Sequence, residues 1–72
     1  MPLQDQQGNY LELNTFLKVK GFAQTGGQAK LLIRNGKVKV NSEVELRNKR
    51  KLRDNDIVEI NNKKLKVKMT EF

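Results

Sequence analysis

The chain has 72 residues, of which 36% are hydrophobic and 32% are charged, and fifteen Lys and Arg against eight Asp and Glu give a net charge of +7. A chain this short forms one small domain with a modest core, because it buries only about 60% of the surface that its unfolded form exposes. The sequence contains no Cys and no His, which excludes disulfides, thiolate or imidazole metal sites and the usual nucleophile and base pairs of enzymes. No apolar run is long enough for a signal peptide or a membrane span, so we expect a cytoplasmic protein.

The first predicted elements are a short strand and a short helix. Residues 1–9 carry little that can pack, and we predict a flexible N-terminus or an expression remnant there. Residues 10–13 are a candidate strand, and a helix is predicted over residues 15–20. Asn14 is placed to cap the start of this helix, and Gly21 is placed to end it.

A second helix is predicted by its start and stop signals. Thr25 is followed three residues later by Gln28, which is the spacing of a capping box. The apolar residues that recur at helical spacing on one face are Ala29, Leu32 and Ile33. The Asn-Gly pair at residues 35–36 supplies the left-handed position that commonly ends a helix.

Beyond the second helix the pattern changes to that of strands. Lys and Val alternate over residues 37–40, which predicts a half-buried strand with one basic face. The further strands are predicted over residues 43–47, 57–60 and 64–68, separated by turn residues at Asn41-Ser42, Asp54-Asn55-Asp56 and Asn61-Asn62. The predicted fold class is therefore α+β, with two short N-terminal helices packed on a small, mainly antiparallel sheet in one domain over residues 10–70.

Basic residues are concentrated in the central third of the chain. Between residues 28 and 53 they are Lys30, Arg34, Lys37, Lys39, Arg47, Lys49, Arg50, Lys51 and Arg53, opposed only by Glu43 and Glu45. An ordinary solvated surface or a targeting-type basic run would also produce such a pattern. Clustered like charges repel one another unless a partner neutralises them, so we favour contact with a polyanion such as RNA.

The start of the second helix is a second candidate contact. If Thr25 caps the amide of Gln28, the amides of Gly26 and Gly27 stay free at the positive end of the helix dipole, with no side chain in the way of a phosphate. The aromatic residues are sparse, so structured RNA is a better target than a single strand. The candidate RNA-binding residues are Thr25, Gly26, Gly27, Gln28, Lys30, Arg34, Lys37, Lys39, Arg47, Lys49, Arg50, Lys51 and Arg53.

Several strings of the chain resemble the S4-type RNA-binding domain, the αL motif of a small-subunit ribosomal protein. They are Leu-Asn-Thr-Phe-Leu-Lys-Val-Lys-Gly at 13–21, Thr-Gly-Gly-Gln-Ala-Lys-Leu-Leu-Ile at 25–33, Gly-Lys-Val-Lys-Val-Asn-Ser-Glu at 36–43 and Arg-Lys-Leu-Arg-Asp-Asn-Asp at 50–56. The likeness covers roughly residues 11–60 and is greatest to the bacterial single-domain subgroup typified by YaaA and YbcJ proteins. The chain departs from the family pattern in two places. It has Gly26-Gly27 where the family often has a basic residue, and it has Ser42 and Asn55 where the family usually has glycines in turns.

The resemblance implies binding of structured RNA, chiefly ribosomal RNA, in ribosome assembly or translation. It implies no catalysis and no cofactor. We therefore expect a monomeric, non-enzymatic RNA-binding module with no small-molecule substrate, no metal and no membrane partner. Two alternatives stay open: a protein-interaction adaptor whose basic face meets an acidic partner, and a non-specific nucleic-acid binder.

Overall fold

The computed structural model describes residues 10–71, so the predicted flexible segment at residues 1–9 lies outside the described residues. The two helices are α1 (Leu13–Val19) and α2 (Gly26–Arg34). The strands are β1 (Leu11–Glu12), β2 (Val38–Val40), β3 (Glu43–Val44), β4 (Lys51–Leu52), β5 (Ile57–Ile60) and β6 (Lys63–Lys66), and a 3-10 turn follows at Met69–Glu71. The predicted α+β class is confirmed.

The strands form two antiparallel sheets. The larger sheet has the order β3-β2-β5-β6, and the smaller pairs β1 with β4. In the larger sheet Val38 lies opposite Ile60 and Val40 lies opposite Val58, and all four side chains are buried. In the smaller sheet Leu11 lies opposite Leu52. Alternation along β2 and β5 therefore turns one face of the large sheet to the core, as the period of two predicts.

Both helices and the inner faces of the sheets contribute to one hydrophobic cluster. The side chains with no exposed surface are Leu13, Phe16, Leu17, Ala29, Ile33, Val38, Leu52, Val58 and Val67. Leu52 belongs to a segment rich in cations, and its burial anchors that segment to the core. The outer face of the large sheet instead carries charge, since Lys39 lies opposite Glu59 and Glu59 lies opposite Lys64.

The ends of α2 follow the sequence signals with one difference. The hydroxyl oxygen of Thr25 accepts a hydrogen bond of 3.1 Å from the Gln28 amide, as the cap predicts. The Gln28 side chain accepts from the amide of Gln24 at 2.8 Å, one residue before the position that a capping box uses. At the other end Gly36 has a φ of 73°, the left-handed conformation that ends the helix.

The predicted cap of α1 is wrong. The helix begins at Leu13, one residue before Asn14, and its N-cap residue Glu12 makes no side-chain capping bond. The first amides bond to a distant segment instead: the Leu13 amide donates to the carbonyl of Arg50 at 2.8 Å, and the Asn14 amide donates to the carbonyl of Asn48 at 3.1 Å. The first two donors of this helix are thus satisfied by tertiary contacts, and the third, the Thr15 amide, donates locally to the side-chain oxygen of Asn14 at 2.9 Å.

The two turns in which usual glycines are replaced keep a left-handed backbone. Ser42 has a φ of 75° and Asn55 has a φ of 77°. Asn41 has a φ of 53°, so both loop residues between β2 and β3 have positive φ, as a two-residue hairpin of the primed type requires. Both residues therefore adopt the left-handed conformation that glycine favours.

Candidate nucleic-acid interface

The candidate interface includes a basic segment over residues 47–53 that is fixed against α1. Residues 48–51 contain no apolar residue, which predicts an exposed loop, but Lys51 forms strand β4 with the buried Leu52, and β4 pairs with β1. The carbonyls of Asn48 and Arg50 accept the first two amides of α1. These bonds and the buried Leu52 side chain hold the segment in place, which lowers the main-chain entropy that the segment would lose on binding a partner.

Glu45 is a buried carboxylate beneath this segment, and only 7% of the residue is exposed. One carboxylate oxygen accepts two hydrogen bonds from Arg47: one of 2.8 Å from Nε and one of 3.0 Å from the backbone amide. The other oxygen accepts a hydrogen bond of 2.5 Å from Nη1 of Arg50 and one of 3.2 Å from Nη2 of Arg47. Glu45 is thus bound by two guanidinium groups and one amide.

These contacts set the charge of Glu45. The hydrogen bond from the Arg47 side chain, reinforced by the bond from Arg50 and opposed by burial, lowers the pKa of Glu45 to about 2. The same hydrogen bond to Glu45 raises the pKa of Arg47. Glu45 is therefore ionised at neutral pH and offsets part of the positive charge of the basic segment.

The cations of the basic segment consequently differ in their freedom to contact a ligand. The Arg50 side chain is 29% exposed and is held by Glu45, whereas the Arg47 side chain is 73% exposed although it is also paired. Lys49 is exposed and makes no ion pair with any of residues 10–71. An open depression in the surface is lined by Arg47, Lys49, Arg50 and Lys51.

Glu45 is the residue that sequence reasoning missed. In the sequence Glu45 is one of two acidic residues among the basic residues 28–53. Its amide donates to the carbonyl of Val38 at 3.0 Å, which continues the pairing of β2 and β3 and turns the carboxylate inward. The predicted strand over residues 43–47 is therefore too long, since β3 ends at Val44 and the chain then bends around the ion pairs. The available signal was the spacing of Glu45 two and five residues before Arg47 and Arg50.

Tyr10 and two cations form a cluster beside the basic segment. The Tyr10 residue is 44% exposed. Nζ of Lys51 lies 4.9 Å from the centroid of its ring, and Cζ of Arg53 lies 5.7 Å from it. Both distances are in the range of a cation–π contact, so the ring and the two cations adjoin one another on the surface.

The start of α2 has open space beside its two glycines. A Cβ atom added to Gly26 would meet nothing within 4 Å, and one added to Gly27 would lie 3.8 Å from the Thr25 hydroxyl oxygen. The cap takes the amide of Gln28, and the amides of the first helical turn have no intrahelical acceptor. Lys30 and Arg34 are exposed on the same helix.

Lys39 is separated from the helices by the large sheet. Its neighbours Val38 and Val40 face the core, so Lys39 lies on the outer face opposite Glu59. Lys37 is exposed in the connection between α2 and β2, where its amide donates to the carbonyl of Leu32 at 3.1 Å. The structure therefore does not bring Lys39 together with the amides at the start of α2.

The acidic pair near the last hairpin has a structural role. Asp56 accepts from the amide of Arg53 at 2.8 Å and from the side-chain amide of Asn41 at 3.1 Å. Asp54 accepts from the amide of Met69 at 3.0 Å. These bonds organise turns. Among residues 10–71 no group of three or more potential ligands is arranged to hold a metal ion.

The structure is a small α+β domain in which two helices pack on two small antiparallel sheets and a basic segment is fixed against the first helix. A family model described as the S4 domain matches residues 5–68. The chain belongs to the S4 domain family, whose domain binds RNA. No curated protein and no solved structure matches the chain significantly. Neither helix formed by residues 10–71 has the length and apolar character needed to cross a bilayer.

Proposed function

We propose that the chain binds structured RNA, chiefly ribosomal RNA, and acts without catalysis in ribosome assembly or translation. The observation that carries the proposal is the fixed basic segment, in which backbone bonds to Leu13 and Asn14 hold the main chain while the side chains of Arg47 and Lys49 remain exposed. Cations on a fixed backbone bind phosphates at a lower entropic cost than cations on a mobile loop. Such contacts position the RNA without reading its sequence.

The start of α2 is proposed as a second phosphate contact. Open space beside Gly26 and Gly27 leaves room for an anion at this helix start, and the helix dipole adds positive potential there. Lys30 and Arg34 extend the positive charge along the same helix. In this proposal Thr25 and Gln28 shape the site through the cap rather than through direct charge.

A salt series with matched nucleic acids tests the function. Binding of a ribosomal RNA hairpin and of a DNA duplex of equal length would be measured between about 50 and 300 mM salt. We expect the RNA to bind more tightly and its affinity to fall steeply with salt. Equal, weak binding of both nucleic acids would contradict the proposal and show that the chain binds nucleic acids non-specifically.

The contribution of single cations is tested with a charge-matched pair of variants. Lys49→Ala removes one proposed phosphate contact and is expected to reduce the salt slope by about one. Lys18→Ala removes an exposed lysine of α1 outside the candidate set and changes the net charge by the same amount. An identical effect of both variants would show that total charge, rather than the basic segment, governs binding.

An acidic protein partner is the second candidate function. Exposed apolar residues beside the cations favour it, since Leu46 is 57% exposed and directly precedes Arg47. A pulldown with and without nuclease separates the two functions: partners that survive nuclease treatment support an adaptor, and partners that are lost support RNA binding. We further propose that the chain is monomeric, acts in the cytoplasm and belongs to the bacterial single-domain subgroup. Size-exclusion chromatography with light scattering tests the oligomeric state.

A further inference from the structure

The segment before β1 presents an aromatic ring to solvent beside the proposed RNA interface. Leu11 lies opposite Leu52 and packs on the core, so alternation along the strand turns the preceding residue, Tyr10, to the outer face. The residue remains 44% exposed although it adjoins two long side chains. A ring that only filled a gap in the core would be buried.

The two cations beside the ring come from the basic segment. Lys51 and Arg53 flank the buried Leu52, so they lie on the same outer face as Tyr10. Their charged groups are 4.9 Å and 5.7 Å from the ring centroid. The smaller sheet thus places an aromatic surface and two phosphate-binding side chains within one short patch.

The relative strengths of the possible contacts decide what such a patch can do. An exposed cation–π contact changes an equilibrium by a factor of about 2 to 5. Stacking of a nucleobase on an aromatic side chain is worth a factor of about 5 to 150 in affinity. A base therefore competes well for the ring, and displaced cations gain contacts with the phosphates that flank the base.

We propose that Tyr10 stacks on an unpaired base of the bound RNA, in a hairpin loop or a bulge, while Lys51 and Arg53 bind the adjoining phosphates. This inference rests on the proposed function and adds a base contact to an interface otherwise made of phosphate contacts. Unpaired bases are the part of a folded RNA that aromatic side chains reach, because paired bases remain stacked within the helix. The chain would then distinguish a bulged or looped RNA from a continuous duplex.

The chain supplies its own probe for this contact. Tyr10 is its single tyrosine and it has no tryptophan, so tyrosine fluorescence reports on this position alone. The fluorescence would be titrated with an RNA hairpin carrying one bulged nucleotide and with the same hairpin carrying an abasic residue at the bulge. We expect strong quenching by the first RNA and little by the second. Equal quenching by both would overturn the stacking contact.

Two variants complete the test. Tyr10→Ala is expected to weaken binding of the bulged hairpin by about 5- to 50-fold and to leave binding of the abasic hairpin unchanged. Tyr10→Phe keeps a ring and should retain most of the discrimination. Urea unfolding of both variants shows whether β1 stays folded, and an equal loss of affinity for both hairpins would assign Tyr10 a structural role only. If the unmodified chain bound neither hairpin, the proposed function itself would fail, whereas tight binding without discrimination would overturn the stacking inference alone.

Discussion

The carboxylate of buried Glu45 accepts a hydrogen bond of 2.5 Å from the guanidinium of Arg50. The backbone carbonyl of the same arginine accepts the amide of Leu13 at the start of α1. Arg50 therefore connects the end of β3 to the first helix through both its side chain and its main chain. Arg50 is a cation of the proposed interface and also organises the fold. A substitution of Arg50 should therefore change both stability and RNA affinity, whereas a substitution of its neighbour Lys49 should change RNA affinity alone.

Removing the charge of Glu45 should destabilise the fold. Glu45→Gln takes away the anion that Arg47 and Arg50 bind, and from the depressed pKa we expect a loss of about 3 kcal/mol in the free energy of unfolding at neutral pH. Urea denaturation measures this loss. Glu43→Gln is the matched control, because it removes the same charge from an exposed position.

The stabilisation by Glu45 should depend on pH in a defined window. A carboxyl whose folded pKa lies below its unfolded value stabilises the fold above the unfolded pKa, which is about 4.3 for Glu. The contribution is lost as the pH falls from there to the folded pKa of about 2. The difference in stability between the unmodified chain and Glu45→Gln should therefore shrink across this range, and a difference that is constant down to pH 2 would contradict the assignment.

Adjacent cations of the basic segment should separate binding from stability. Lys49→Ala is expected to weaken RNA binding with a change in stability of less than about 0.5 kcal/mol, because its side chain is exposed. Arg50→Ala should weaken binding and also lower stability by about 1 to 3 kcal/mol, because it leaves Glu45 buried with one fewer donor. Chemical denaturation and filter binding on both variants measure the two effects. Equal stability losses would mean that the ion pair to Arg50 contributes nothing.

Substituting the glycines at the start of α2 should raise stability while lowering affinity. Space is open at both positions, and Ala favours a helix over Gly, so Gly26→Ala with Gly27→Ala should stabilise the fold by about 0.5 to 1 kcal/mol. The added methyl groups would stand beside the amides and hinder a phosphate. A thermal melt and an RNA titration measure the opposite changes, and unchanged affinity in the more stable variant would remove these amides from the interface.

The hairpin between β2 and β3 should gain stability from glycine. Ser42 adopts a φ of 75°, a conformation that costs a residue with a Cβ about 1 to 2 kcal/mol. Ser42→Gly removes that cost and is expected to raise the free energy of unfolding by about 0.5 to 1 kcal/mol, after the entropy of glycine in the unfolded chain is deducted. Ser42→Ala keeps the Cβ and should give no gain. Equal effects of the two substitutions in urea unfolding would show that the backbone here is unstrained.

Local signals in the sequence were sufficient for the fold class and for most elements. Each of these signals acts within a few residues of the chain: the cap at Thr25, the helix ends at Gly21 and Gly36, and the alternation over residues 57–60. Each is also recovered in the structure. Signals of this kind are visible because the residues that interact are neighbours in sequence.

The features that were missed depend on partners far along the chain. The acceptors for the first amides of α1 lie at Asn48 and Arg50, so a local cap at Asn14 was predicted in their place. Strand β4 has only two residues, which is too few for alternation to be recognised. The inward turn of Glu45 follows from its pairing with Val38, which the composition of the segment does not reveal. The RNA-contacting residues stay predictions for binding experiments.

The pairing of β1 with β4 has a consequence for synthesis. Leu11 cannot pair with Leu52, and the first amides of α1 cannot bond to the carbonyls of Asn48 and Arg50, until the chain has been synthesised as far as Leu52. Contacts of such sequence separation form late, because a long loop must close before they stabilise anything. A nascent chain shorter than this would expose its cations on an unfolded backbone. The completed basic segment and the completed first helix would therefore arise in the same step, so that the ordered interface exists only on a finished domain.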